Sequence, residues 1–101
     1  MMVRYRERAR DDIEKIYDRI ARDSEASAER VENAICRAVG MLRMEPEMGA
    51  DMGYEETRRW PMRDYKYTIF YRIQWVEEFI DVLRIVDSAG VRNLKRVPRA
   101  L

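Results

Sequence analysis

Apolar positions recur along this chain in two periods, and the change from one to the other divides it. Between residues 8 and 22, Ala9, Ile13, Ile16, Tyr17 and Ile20 fall at helical spacing against a face that is almost entirely charged. Asp11, Asp12 and Glu14 belong to that charged face, toward the N-terminal end where carboxylates complement the helix dipole. Asp23-Ser24 breaks the pattern and offers Ser24 as the N-cap of a second helix, whose stripe is Ala28, Val31, Ile35, Ala38, Val39 and Leu42. That helix must stop near Met44, because Pro46 disfavours helical geometry at Glu45.

From Thr57 the period falls to two, in aromatic and β-branched runs that predict strands over residues 57 to 62, 65 to 73 and 79 to 86. The middle strand sets Tyr65, Tyr67, Ile69, Tyr71 and Ile73 on one face and Lys66, Thr68, Phe70 and Arg72 on the other. Residues 74 to 78 form the hairpin loop between the last two strands. A fourth strand, at an edge or in the middle, is predicted over residues 2 to 6, where Val3 and Tyr5 alternate with Arg4 and Arg6. Residues 45 to 56, with Pro46, Gly49 and Gly53 among acids and methionines, read as an irregular connection that Tyr54 pins down. A helical hairpin with an apolar stripe needs a second layer, and the strands supply it. The predicted fold is α+β, with the order β-α-α-β-β-β and the hairpin packed on a small antiparallel sheet. At 101 residues the chain is one domain over 1–101, with a basic C-terminal tail over 91–101.

Twenty basic and nineteen acidic residues leave a net charge of +1, so the total says nothing about partners and the distribution says more. Glu45, Glu47, Asp51, Glu55 and Glu56 crowd the connection without a base, whereas the end of the chain carries Arg92, Lys95, Arg96 and Arg99 without an acid. Arg72, Asp81 and Arg84 interrupt otherwise apolar strands. Either one sheet face is solvated and these charges pair across strands, or the helix-free face is a basic surface built for an anionic or peptide partner. The tail has the same two readings: a frayed end, or a segment that docks beside the last strand and completes the basic surface.

One cysteine, Cys36, and no histidine exclude an intramolecular disulfide and leave too few ligands for a Cys/His metal site. The usual general base near neutral pH is missing, and Cys36, with no histidine to activate it, reads as a small packing residue. No cofactor or metal is expected, and no catalytic residue is assigned. The N-terminus has no apolar core of a signal peptide and no run reaches membrane-spanning length, so the expected location is the cytoplasm.

Arg58-Arg59-Trp60-Pro61-Met62, Tyr67-Thr68-Ile69-Phe70-Tyr71-Arg72-Ile73 and Ile80-Asp81-Val82-Leu83-Arg84-Ile85-Val86 follow Ala9-x-x-Asp12-Ile13-x-x-Ile16-Tyr17. In that order and spacing they resemble the RelE/ParE superfamily of type II toxins over residues 2 to about 88, and the ParE branch most closely. The resemblance implies the β-α-α-β-β-β domain derived independently above. It also implies a toxin held in a hetero-oligomer by a cognate antitoxin encoded beside it, with DNA contacted only indirectly, through the antitoxin. ParE-type members are implied to poison DNA gyrase by binding. RelE-type members are implied to cleave messenger RNA on the ribosome, with Lys and Arg stabilising the charge that develops on phosphorus. Where such nucleases carry arginines on the third strand and after the fourth, this chain has Thr68 and Ser88. A single stabilising donor is worth about 3–4 kcal/mol, so two such losses favour gyrase as target. ParE members typically place a histidine after the last strand, where this chain has Asp87, and the basic residue is displaced downstream. A relative that keeps antitoxin binding and has lost toxicity therefore stays open. The expected target contacts are Arg58, Arg59, Arg84, Arg92, Lys95 and Arg96. The expected antitoxin contacts are Trp60, because aromatic residues dominate interface hot spots, with Arg72, Ile16 and Ile20; packing in the core is the equal alternative for Trp60.

Overall fold

Ser24 leaves the helical region and its hydroxyl accepts the Ser27 amide at 3.1 Å, so the chain reverses there and the second helix starts with a satisfied cap. The computed structural model describes residues 1–91 and 94–99. Strand β1 (Met2–Tyr5) leads into α1 (Glu7–Ala21) and α2 (Glu25–Met44), and a 3₁₀ turn, Pro46–Met48, follows. Then come β2 (Ala50–Asp51), β3 (Thr57–Pro61), β4 (Tyr67–Gln74) and β5 (Phe79–Asp87). The sheet order is β1-β5-β4-β3-β2. All pairs are antiparallel except β1 with β5, which is parallel, so the sheet is mixed rather than wholly antiparallel. Alternation within residues 2 to 6 carries no information on strand direction, and the partner strand lies at the far end of the sequence.

The connection over residues 45 to 56 is more ordered than its composition suggests. Thr57 donates its amide to the Tyr54 carbonyl at 2.9 Å across Glu55 (φ 47°) and Glu56 (φ 53°), a type I′ geometry that pairs β2 with β3. Two glutamates stand where Asn-Gly is usual, which is why the turn was not visible in the sequence. Gly49 is required by close approach: a Cβ there would lie 2.5 Å from the Tyr71 hydroxyl and 2.9 Å from the Arg59 carbonyl. Its amide donates to that hydroxyl at 2.9 Å, and the hydroxyl donates to Pro46 O at 2.6 Å.

The predicted alternation of β4 holds. Tyr67, Ile69, Tyr71 and Ile73 join Ile80, Val82 and Ile85 against Ala9, Ile16, Val31, Ile35 and Leu42 of the helical hairpin. On the opposite face Phe70 and Val86 are covered by Val91 and Val97 of the tail, with Leu83. The tail is thus the docked segment of the two readings, and the helix-free face is partly roofed. A bulge at Leu83 separates the pairs Tyr71↔Val82 and Phe70↔Arg84, at the point where β1 ends opposite Val82. Past that point Asp12 closes the free edge of β5. Its carboxylate accepts the Ile85 amide at 2.9 Å and the Arg84 guanidinium at 2.7 and 2.9 Å. Asp12 therefore lies on the buried face of α1, between Ala9 and Ile16, and not on the charged face assigned to it from the sequence.

Candidate functional site

At the outer end of β4 and β5 the sheet opens into a groove of about 920 Å³ lined by Arg59, Met62, Lys66, Thr68, Asp87 and Ser88 among others. Antiparallel pairing brings Thr68 and Ser88 side by side, and their hydroxyls hydrogen-bond at 2.8 Å. Lys66 Nζ and Asp87 Oδ2 are 3.0 Å apart, and the Ser88 amide donates to the Lys66 carbonyl at 2.7 Å. The Ala89 amide and the Lys66 ammonium both donate to Asp87 and hold its carboxyl below the usual carboxylate range. Arg59 spans the back of the groove and donates to the carbonyls of Val91 and Leu94 at 3.2 and 3.0 Å. The two cations of this groove are therefore committed, one to a carboxylate and one to tail carbonyls. The two positions that would carry nuclease arginines satisfy each other as neutral hydroxyls.

The tail is gripped by side chains rather than by a strand ladder. Arg84 donates to Pro98 O at 2.8 Å, the Val97 amide donates to the Tyr54 hydroxyl at 2.9 Å, and the Arg96 guanidinium lies 5.2 Å from the Tyr54 ring centroid. Of the expected target contacts, Arg59 sits under the tail, while Lys95 and Arg96 are exposed on it. Arg58 points to the other face of β3, where it donates to the carbonyls of Glu47 and Gly49. Arg84 is 3% exposed and paired with Asp12, so it presents no surface. Arg92 lies outside the described residues. The five of these residues that are described thus do not form one patch.

The expected antitoxin contacts also divide. Trp60 is half-buried on the helix-facing side of β3, in a groove of about 420 Å³ shared with Ala38, Met41 and Tyr65. Arg72 is on the helix-free face, bonded to Glu55 and Thr57. Ile16 is buried under α1 against the sheet, and Ile20 is partly buried beside it. Only Trp60 opens onto an apolar groove, next to Met41, which is 54% exposed.

Asp81, one of the charges that interrupt the strands, is paired across strands, as the first of the two readings expects. Asp81 is fully buried and accepts from Arg4 at 2.8 Å, Arg6 at 3.1 Å and Gln74 at 3.2 Å. Burial alone would push its carboxyl up, and the bonds from Arg4 and Gln74 with the charges of Arg6 and Arg4 outweigh it, so Asp81 titrates below the ordinary range. The available signal was the arginine pair Arg4 and Arg6 on a strand whose partner had to carry an acid. Among the described residues no cluster of three or more His, Cys, Asp or Glu is placed to hold a metal ion, and no helix is long and apolar enough to cross a membrane.

Three solved structures that are similar to this chain come from toxin–antitoxin systems. The chromosomal ParDE system of P. aeruginosa superposes with a TM-score of 0.73 at 19% identity, covering 86% of this chain and 95% of that one. The intact RelBE toxin–antitoxin complex of E. coli gives 0.66 at 14% identity over 85% and 94%. The RelBE2 toxin–antitoxin complex of Mycobacterium tuberculosis gives 0.63 at 26% identity over 85% and 95%. No curated protein matches the chain by sequence. The model of the ParE toxin of the type II toxin–antitoxin system parDE matches residues 3–91, and the chain belongs to that family.

Proposed function

We propose that this chain is a toxin that acts by binding DNA gyrase, without covalent chemistry of its own, and that a cognate antitoxin neutralises it. The observation that carries the choice of target is the neutral Thr68–Ser88 pair beside the closed Lys66–Asp87 bridge. Cleavage of RNA needs free cations aimed at the charge that develops on phosphorus, each worth about 3–4 kcal/mol, and a group to move the proton. This groove offers a threonine and a serine at those positions, and the chain has no histidine. Binding without chemistry needs neither. Arg59, Lys95 and Arg96, on and under the tail, are the target contacts this reading retains. Trp60, in its groove with Met41, is the antitoxin contact. Gyrase and the antitoxin put the site of action in the cytoplasm.

Induction of the chain alone in growing bacteria tests the reading, with thymidine and methionine incorporation followed in parallel over the first minutes. DNA synthesis is expected to fall first while translation continues, and purified chain is expected to inhibit gyrase supercoiling until antitoxin is added. An early fall in translation would assign the ribosome and make Arg59 and Lys66 catalytic candidates. Normal growth, with antitoxin still bound, would mean a relative that has kept its partner and lost its toxicity.

A further inference from the structure

On the side of the tail away from the Thr68–Ser88 groove lies a second cavity, of about 360 Å³, and its lining is dominated by arginine: Arg6, Arg8, Arg72, Arg84, Arg96 and Arg99, against Glu55 as the one acid. These six residues come from the start of α1, from β4, from β5 and from the tail, so no local stretch of sequence reveals the cluster. Three of the six are compensated. Arg72 pairs with Glu55, Arg84 with Asp12, and Arg6 with Asp81, a carboxylate that it shares with Arg4. Among the described residues Arg8, Arg96 and Arg99 have no carboxylate partner, and all three are exposed. Helix α1 begins at the same rim, and its N-cap residue Arg6 gives no side-chain cap, which adds the positive end of the helix dipole.

We infer that this cavity is a binding site for the phosphate backbone of a nucleic-acid strand, with Arg8, Arg96 and Arg99 as the phosphate contacts. Guanidinium forks match phosphate oxygens, and three of them, one on α1 and two on the tail, suit successive phosphates better than one small ion. Tyr54 also lines the cavity, with the Arg96 guanidinium over its ring. An acidic peptide would need an apolar anchor as well as its charge. The apolar groups here, Leu83, Val97 and Pro98, are taken up by the packing of the tail on the sheet or by the Arg84 bond to it. The inference stands apart from the gyrase reading and departs from the expectation that DNA is met only through the antitoxin.

The test uses the full chain and fluorescence anisotropy of a short labelled single-stranded oligodeoxynucleotide. About three phosphates neutralised on a single strand give a log–log salt slope near −2, so raising salt from 50 to 200 mM weakens binding by roughly 20-fold. The triple variant Arg8→Gln/Arg96→Gln/Arg99→Gln is expected to lose at least about tenfold in affinity and most of that salt dependence. A control that removes the same charge from the helical side, Lys15→Gln/Arg30→Gln/Arg43→Gln, should bind as the parent does. Equal losses in the two triple variants would reduce the effect to net charge and overturn the site, as would an unchanged isotherm in the first. Inorganic phosphate competing as well as the oligonucleotide at equal phosphate concentration would overturn the strand as ligand. Polyglutamate competing as well per charge would assign an acidic peptide. Circular dichroism and urea unfolding of both variants separate loss of binding from loss of fold.

Discussion

Asp12→Ala should destabilise the fold more than any single change at the surface. Its carboxylate takes three hydrogen bonds, from Arg84 Nε at 2.7 Å, Arg84 Nη2 at 2.9 Å and the Ile85 amide at 2.9 Å. Removing it takes two of the hydrogen bonds of a guanidinium that is 3% exposed and strips the Ile85 amide of its acceptor at the free edge of β5. Breaking a buried pair by deleting one partner costs about 3–5 kcal/mol, most of it the penalty of the charge left behind. A domain of this size is stable by only about 5–15 kcal/mol. With a urea m-value near 2 kcal/mol/M, a loss of about 3 kcal/mol moves the midpoint down by roughly 1.5 M. Urea unfolding followed by tryptophan fluorescence and circular dichroism measures this. The double variant Asp12→Ala/Arg84→Met removes both charges of the pair and should regain most of the loss. A single variant within about 1 kcal/mol of the parent, or a double variant no better than the single, would refute the assignment of this pair as a buried, mutually dependent unit.

Gly49→Ala should cost about 1–3 kcal/mol by the same assay, because the new methyl meets the Arg59 carbonyl and the Tyr71 hydroxyl and neither can withdraw without breaking a bond. Glu78 holds φ 58° at the end of the β4–β5 turn, so Glu78→Gly should stabilise by about 0.5–1 kcal/mol, read as a higher thermal midpoint; a lower one would refute the strain. Asp81 titrates below its unfolded value, so its contribution is fully present above about pH 4 and is lost as pH falls through the lowered native value. The stability gap between the parent and Asp81→Asn should therefore be constant from pH 5 to 7 and narrow toward pH 3 in urea titrations; a gap that widens on acidification would reverse the sign.

The helices and the three long strands were legible because each obeys a single period over many residues. Ser24 and Pro46 mark the ends of α2 by rules that need no tertiary context. What was hidden depended on pairing between distant segments. A turn of two glutamates in the left-handed region carries none of the usual glycine or asparagine signal, and β2 went unseen with it. Asp12 reads as a surface residue from charge alone, and only the bulge in β5, set by where β1 stops, gives it a buried partner. The candidate contacts divided for a simpler reason. Arg58 and Arg59 are adjacent on a strand, so they point to opposite faces and cannot share a ligand.

The tail determines which cations the helix-free face can offer. Phe70 and Val86 are apolar residues on a face that also carries Arg4, Arg59, Arg72 and Asp81, and Val91 and Val97, with Met52 and Leu83, cover them. Burying a side chain as large as phenylalanine contributes about 1.5–3 kcal/mol, but a valine pair cannot hold a segment that makes no strand ladder. The hold comes from Arg59 on the carbonyls of Val91 and Leu94, from Arg84 on Pro98 and from Tyr54 on the Val97 amide. Arg59 is then occupied, which is why the groove at Thr68 and Ser88 is poor in free charge although arginine lies beside it. The same strap carries Arg96 and Arg99 to the rim on its other side, where Arg8 joins them. One segment therefore closes the core, lowers the free charge of one groove and raises that of the other. A partner of this face must meet it through the edges the tail leaves open.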